Sequence, residues 1–67
     1  MPYVNIKITK ESVTQAHKQQ LVSGVTQLLK DVLGKDPNTT FVVIDEVELD
    51  NWGIGFNLVS DIQKSKR

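Results

Sequence analysis

An α+β fold built on one β-α-β unit follows from three features of the 67-residue chain: an alternating run at its start, a helical stripe in its middle and a β-branched run after that. Residues 2–9 put Val4, Ile6 and Ile8 on one face and Asn5, Lys7 and Thr9 on the other, the two-residue period of a half-covered strand. Leu21, Val25, Leu28, Leu29, Val32 and Leu33 then fall on one stripe of a 3.6-residue repeat, which marks an amphipathic helix. Its start lies either at Ser12, which with Gln15 fits a capping box, or at Thr14. Gly34 closes it, because glycine adopts the left-handed conformation that ends helices, and Pro37 prevents its resumption. Residues 39–49 are rich in β-branched side chains and read as a second strand, apolar enough at 41–44 to be covered on both faces. Strand, helix and strand in this order give parallel strands joined by a right-handed crossover. Turn residues surround Trp52 and Ile54 at positions 50–55, which predicts a tight turn or short hairpin before a last segment at 58–62. Residues 63–67 are polar and are expected to fray.

Size and composition narrow the rest. The chain reads as one domain over residues 1–67, with a thin core, no cysteine for a disulfide and a single histidine, His17. Oligomerisation is the remaining support for so small a scaffold, and a sheet of two strands with one helix leaves half its surface and both edges for other copies to cover. Eight basic and eight acidic side chains cancel, so the field that draws proteins to nucleic acid or to anionic membranes is missing. No apolar run approaches the roughly 20 residues of a membrane span, and the start lacks the basic-then-apolar pattern of a secretory leader. A cytoplasmic protein without nucleic-acid or membrane partners is the expectation.

Met1-Pro2 opening directly into an alternating strand, then a helix, a second strand and Trp52-Gly53-Ile54-Gly55, resembles the 4-oxalocrotonate tautomerase family over nearly the whole chain. The resemblance implies a β-α-β subunit assembled as a hexamer, a trimer of dimers, with active sites between neighbouring chains. It also implies that Pro2 is the catalytic residue, freed as a secondary amine by removal of Met1, and that no cofactor is required. The chemistry explains the choice of residue: an amide nitrogen inside a chain is not basic, whereas a neutral terminal amine can take a proton and return it elsewhere. An ordinary α-amino group titrates near pH ~8, and an apolar pocket disfavours its charged form, bringing it toward the working pH of a general base. Trp52 stands where the family has an aromatic residue lining the pocket. The activity so implied is enol–keto tautomerisation of a small unsaturated 2-oxo acid. Its alternatives are a non-catalytic oligomeric binding module on the same scaffold, and a hydratase or dehalogenase using the same proline.

The sequence departs from that pattern at the substrate. Family members acting on dicarboxylates carry one arginine before the helix and another early in the second strand, where a guanidinium grips a carboxylate with paired hydrogen bonds. Here those positions fall at Ser12 or Val13 and at Phe41 or Val42. Lys10 is the nearest candidate for a replacement cation, Phe41 takes the strand position, and both join Trp52 as candidate substrate-binding residues. Lys7 lies on the far face from Ile6 and Ile8, with its role open, and backbone N–H groups near Ile8 and Thr9 are candidates for polarising a substrate oxygen. Phe56 and Asn57 follow Gly55 where the family has paired glycines.

Other constellations carry less. His17 has no cysteine or second histidine with which to hold a metal, so a structural or solvent-facing role is expected. Asp45, Glu46, Glu48 and Asp50 alternate in direction along a strand and do not converge as ligands; a solvated edge or intersubunit ion pairs would account for them. No serine sits in a nucleophile elbow. Lys64, Lys66 and Arg67 read as a solubilising tail.

Overall fold

The computed structural model describes residues 1–65 and contains the β-α-β unit in the expected order. Strand β1 (Tyr3–Thr9) lies parallel to β2 (Phe41–Val47), in a register that sets Tyr3 beside Phe41, Ile6 beside Ile44 and Thr9 beside Val47. Helix α1 (Gln15–Leu33) crosses between them. A hairpin of β3 (Gly53–Ile54) and β4 (Asn57–Leu58) and a short helix α2 (Val59–Ser65) complete the described chain.

Each boundary has a local cause. Of the two candidate caps, Thr14 is the one used: its hydroxyl accepts the His17 amide at 3.1 Å, and His17 Nδ1 accepts the Thr14 amide at 3.2 Å. The single histidine therefore has a structural role, closing a capping box in the place usually held by glutamate or glutamine. Gly34 ends α1 at φ 66°, as expected, with its N–H turned back to the last helical turn. The second strand is shorter than residues 39–49. Asp36 caps a 3-10 turn over Pro37–Thr39 by accepting the Asn38 amide at 2.9 Å, and another such turn takes Leu49–Asn51. In the hairpin, Gly55 has φ 61° and no non-glycine residue has a positive φ. That combination in a two-residue loop is the type II′ pattern, which matches the twist of paired strands. Residues 63–65, expected to fray, belong to α2; residues 66 and 67 lie outside the described part.

The apolar pattern is wider than the sheet that it meets. Val4, Ile6 and Ile8 with Val42 and Ile44 face the helix and are half-buried, against Val22, Val25 and Leu29. The helical stripe read from the sequence is thus rotated: Leu28, Val32 and Leu33 are 59%, 70% and 60% exposed. Tyr3, Phe41 and Val43 stand exposed on the other face of the sheet, and Ile54, Phe56 and Leu58 on the hairpin. Among the described residues only Val59, at 8% exposure, is buried, and none is fully so. The accessible surface is 5302 Å², where a folded monomer of 7.5 kDa has about 4,200 Å². Its radius of gyration is 15.5 Å, against about 11 Å for a compact chain of this length.

Candidate functional site

Pro2 sits immediately before β1, half-buried, and its carbonyl accepts the Phe41 N–H at 3.0 Å. That bond fixes the start of the chain to the start of β2. At the far end of β1, the Lys10 N–H donates to the Val47 carbonyl at 2.7 Å. Backbone groups alternate sides with a period of two. Even-numbered residues of β1 therefore bond to β2, and the N–H and C=O groups of Tyr3, Asn5, Lys7 and Thr9 line its free edge. Of the two candidate amides near the strand end, only that of Thr9 points outward.

The candidate residues divide between the two ends of the sheet. Pro2 and Phe41, the latter 50% exposed, stand together at one end. At the other end the end of β1 and the carboxy-terminal hairpin and helix border an open cavity of about 510 Å³, with apolar walls from Ile8, Val13, Trp52, Ile54 and Val59. Trp52 is half-buried, and its carbonyl accepts the Val59 N–H at 2.8 Å, which holds the tryptophan segment against α2. A second cavity, of about 320 Å³, shares Lys7 and Trp52 with the first. Seven residue steps of extended backbone separate Pro2 from Thr9, about 23 Å along the strand. One chain alone does not bring Pro2 to Trp52.

The charges around the sheet are largely paired. Lys7 Nζ lies 3.3 Å from Asp45 Oδ2, Lys10 Nζ lies 3.0 Å from Glu48 Oε1, and Lys18 pairs with Glu46, joining α1 to β2. The hydrogen bond that Lys10 donates to Glu48, reinforced by the charge of that carboxylate, holds the Lys10 ammonium above its ordinary range. This exposed cation thus keeps its charge throughout neutral pH while being already matched by an acid. Asp45, Glu46 and Glu48 thus make ion pairs within one chain, and those of Asp45 and Glu48 lie on a solvated edge, one of the two expected placements. Glu11 also lines the larger cavity, where its carboxylate accepts a hydrogen bond from the Thr9 hydroxyl at 3.0 Å.

Sequence reasoning reached Val13 only as a possible arginine position, and it passed over Glu11 and Val59 as lining residues and the lysine pairings. A signal for the latter was present. Lys7 and Lys10 are spaced as Asp45 and Glu48 are, and in a parallel pair with a constant offset of 38 residues both lysines meet acids at once. Nothing in the local sequence around Glu11 or Val59 announces a shared cavity, since they come together only when the carboxy-terminal unit folds back over the end of β1.

Comparisons with known proteins agree with this architecture. Residues 2–62 match the family model described as tautomerase enzyme. A probable tautomerase K2 of Dickeya dadantii is 64% identical over 61 residues, covering 91% of each chain. The 2-hydroxymuconate tautomerase of Bacillus subtilis is 32% identical over 94% of this chain and 100% of its own length. The crystal structure of DmpI from Helicobacter pylori superposes with a TM-score of 0.83 at 40% identity, covering 90% of this chain and 98% of that one. On this agreement of sequence and fold, the chain belongs to the tautomerase family and is an isomerase of the 4-oxalocrotonate tautomerase type.

Proposed function

We propose that the protein catalyses enol–keto tautomerisation of a small unsaturated 2-oxo acid, with Pro2 as general base and then general acid after loss of Met1. The observation that carries this reading is the anchoring of Pro2: its carbonyl is bonded to Phe41 at the end of a paired strand, so the adjacent nitrogen is held at a fixed point of the sheet. A secondary amine placed there takes the enol proton in its neutral form and delivers it to carbon as the ammonium, with no net change in the protein.

Completion of the site requires a second copy. A twofold contact uses the same edge of both partners, and two β1 edges joined about a twofold axis run antiparallel. That arrangement carries Pro2 of one chain toward the Thr9 end of the other, where the outward Thr9 N–H is available to an enolate oxygen and the Trp52 cavity excludes water. Further copies, to a hexamer, would cover the exposed helix and hairpin surfaces. The name of the Bacillus relative, 2-hydroxymuconate tautomerase, supports the choice of a 2-oxo acid enol as the substrate class. A cytoplasmic location fits this reading, and among the described residues no helix is long and apolar enough to cross a membrane.

Replacement of Pro2 by alanine leaves a primary amine in a shifted position. Ketonisation of the enol of phenylpyruvate, followed by its ultraviolet absorbance, should fall about 10²-fold or more while assembly is retained in sedimentation. Turnover equal to that of the parent would reject the assignment.

A further inference from the structure

The charge arrangement around the larger cavity deepens this reading of the site, on which the following rests, by restricting the substrate. We infer that the substrate carries at most one negative charge on an otherwise apolar body, and that Glu11 is a specificity-determining residue which excludes a second carboxylate.

Four observations carry the inference. The positions at which the family resemblance would put carboxylate-gripping arginines, Ser12 or Val13 and Phe41 or Val42, hold uncharged residues. Lys7, the cation that lines both cavities, is matched by Asp45 at 3.3 Å, and Lys10 is matched by Glu48 at 3.0 Å. Glu11 lines the larger cavity with a hydrogen bond to Thr9 and no cation against it among the described residues. The remaining walls are Ile8, Val13, Trp52, Ile54 and Val59, all apolar, and the uncharged Gln63. Among the described residues of one chain, a dianion entering this space meets no unmatched cation and one carboxylate of its own sign. Its second charge would lie partly desolvated against these apolar walls with no cation of the described residues left to offset it. A single carboxylate can remain at the mouth, with the apolar end inside. An aryl or alkyl 2-oxo monocarboxylate satisfies both conditions.

The test reads binding separately from turnover. Trp52 is the only tryptophan, so its fluorescence reports occupancy of the cavity in the intact assembled protein. Titration with 2-oxo-4-phenylbutanoate and with 2-oxohexanedioate compares a monoanion with a dianion that share the 2-oxo acid head. The monoanion should bind about tenfold tighter or more, and Glu11→Gln, which keeps an oxygen for the Thr9 hydroxyl, should narrow that ratio by about fivefold. Asp45→Asn, which unmatches Lys7, should shift the ratio in the same direction. Equal or tighter binding of the dianion overturns the inference, as does an unchanged ratio in Glu11→Gln or the absence of any Trp52 response to either probe at millimolar concentration. The same titration on Pro2→Ala separates the two claims: full activity in that variant removes the catalytic reading, while its binding ratio judges the substrate restriction by itself.

Discussion

Val43 offers a direct measure of how far the fold depends on neighbouring copies. It lies on the sheet face away from α1 and is 45% exposed in the single chain. Were that face open to water, Val43→Lys would change stability by no more than about 0.5 kcal/mol, the usual range for a surface substitution. Covered by another copy, the same side chain would lose the burial that the single chain leaves unused. Full burial of a valine contributes about 1.5–3 kcal/mol, so the exposed fraction accounts for about 1 kcal/mol per copy. A twofold contact carries the substitution twice, giving about 2 kcal/mol, or about thirtyfold in the dissociation constant, before any cost of desolvating the lysine. Sedimentation across a dilution series, together with thermal unfolding at two protein concentrations, reads both quantities. The variant should dissociate at markedly higher concentration and unfold earlier, with a midpoint that depends on concentration. Parent-like assembly and unfolding would refute the argument that this face is an interface.

The other predictions concern the helix cap and the substrate. Thr14→Ala removes the hydroxyl that accepts the His17 amide and should destabilise the protein by about 1 kcal/mol in denaturant unfolding, with turnover per assembled molecule preserved; an effect within experimental error would show the cap to be dispensable. Phe41→Arg sets a guanidinium beside Pro2, and should lower the KM for 2-hydroxymuconate more than for the enol of phenylpyruvate. Equal changes for the two substrates would mean that charge at this position does not select between them.

The parts of the fold written in the sequence are those set by local periodicity. Alternation at Val4, Ile6 and Ile8 and the glycine at position 34 place β1 and the end of α1 with little room for error. The second strand was harder, because β-branched composition runs through Thr39 and Thr40 while Asp36-Pro37-Asn38 competes for the same residues with a turn. The turn prevails: the Asp36 side chain accepts the Asn38 amide, and its carbonyl accepts the Thr40 hydroxyl at 2.9 Å. The helix stripe is only partly covered, for a different reason. A sheet of two strands is too narrow to cover every leucine and valine of α1, so the residues that complete the stripe in sequence, Leu28, Val32 and Leu33, remain outside the single-chain core. Their apolar character answers to surfaces that one chain does not contain.

The candidate site shows the same division. Pro2, Phe41 and Trp52 stand out as candidates through residue type and order, and the parallel register accounts for the pairing of Lys7 and Lys10 with Asp45 and Glu48. Glu11 and Val59 were not legible. They meet only through the fold-back of the hairpin and α2 onto the end of β1, a long-range contact that no local pattern encodes.

The catalytic claim depends on a free imino nitrogen at Pro2, and the initiator methionine provides the cleanest switch. Two preparations of the same chain, one beginning at Pro2 and one retaining Met1, are to be verified by intact mass and compared in ketonisation of the enol of phenylpyruvate at equal concentration of assembled protein. Activity confined to the chain that begins at Pro2 is the predicted result. Equal rates from both would contradict it, since an acylated proline nitrogen has no basic lone pair with which to move a proton.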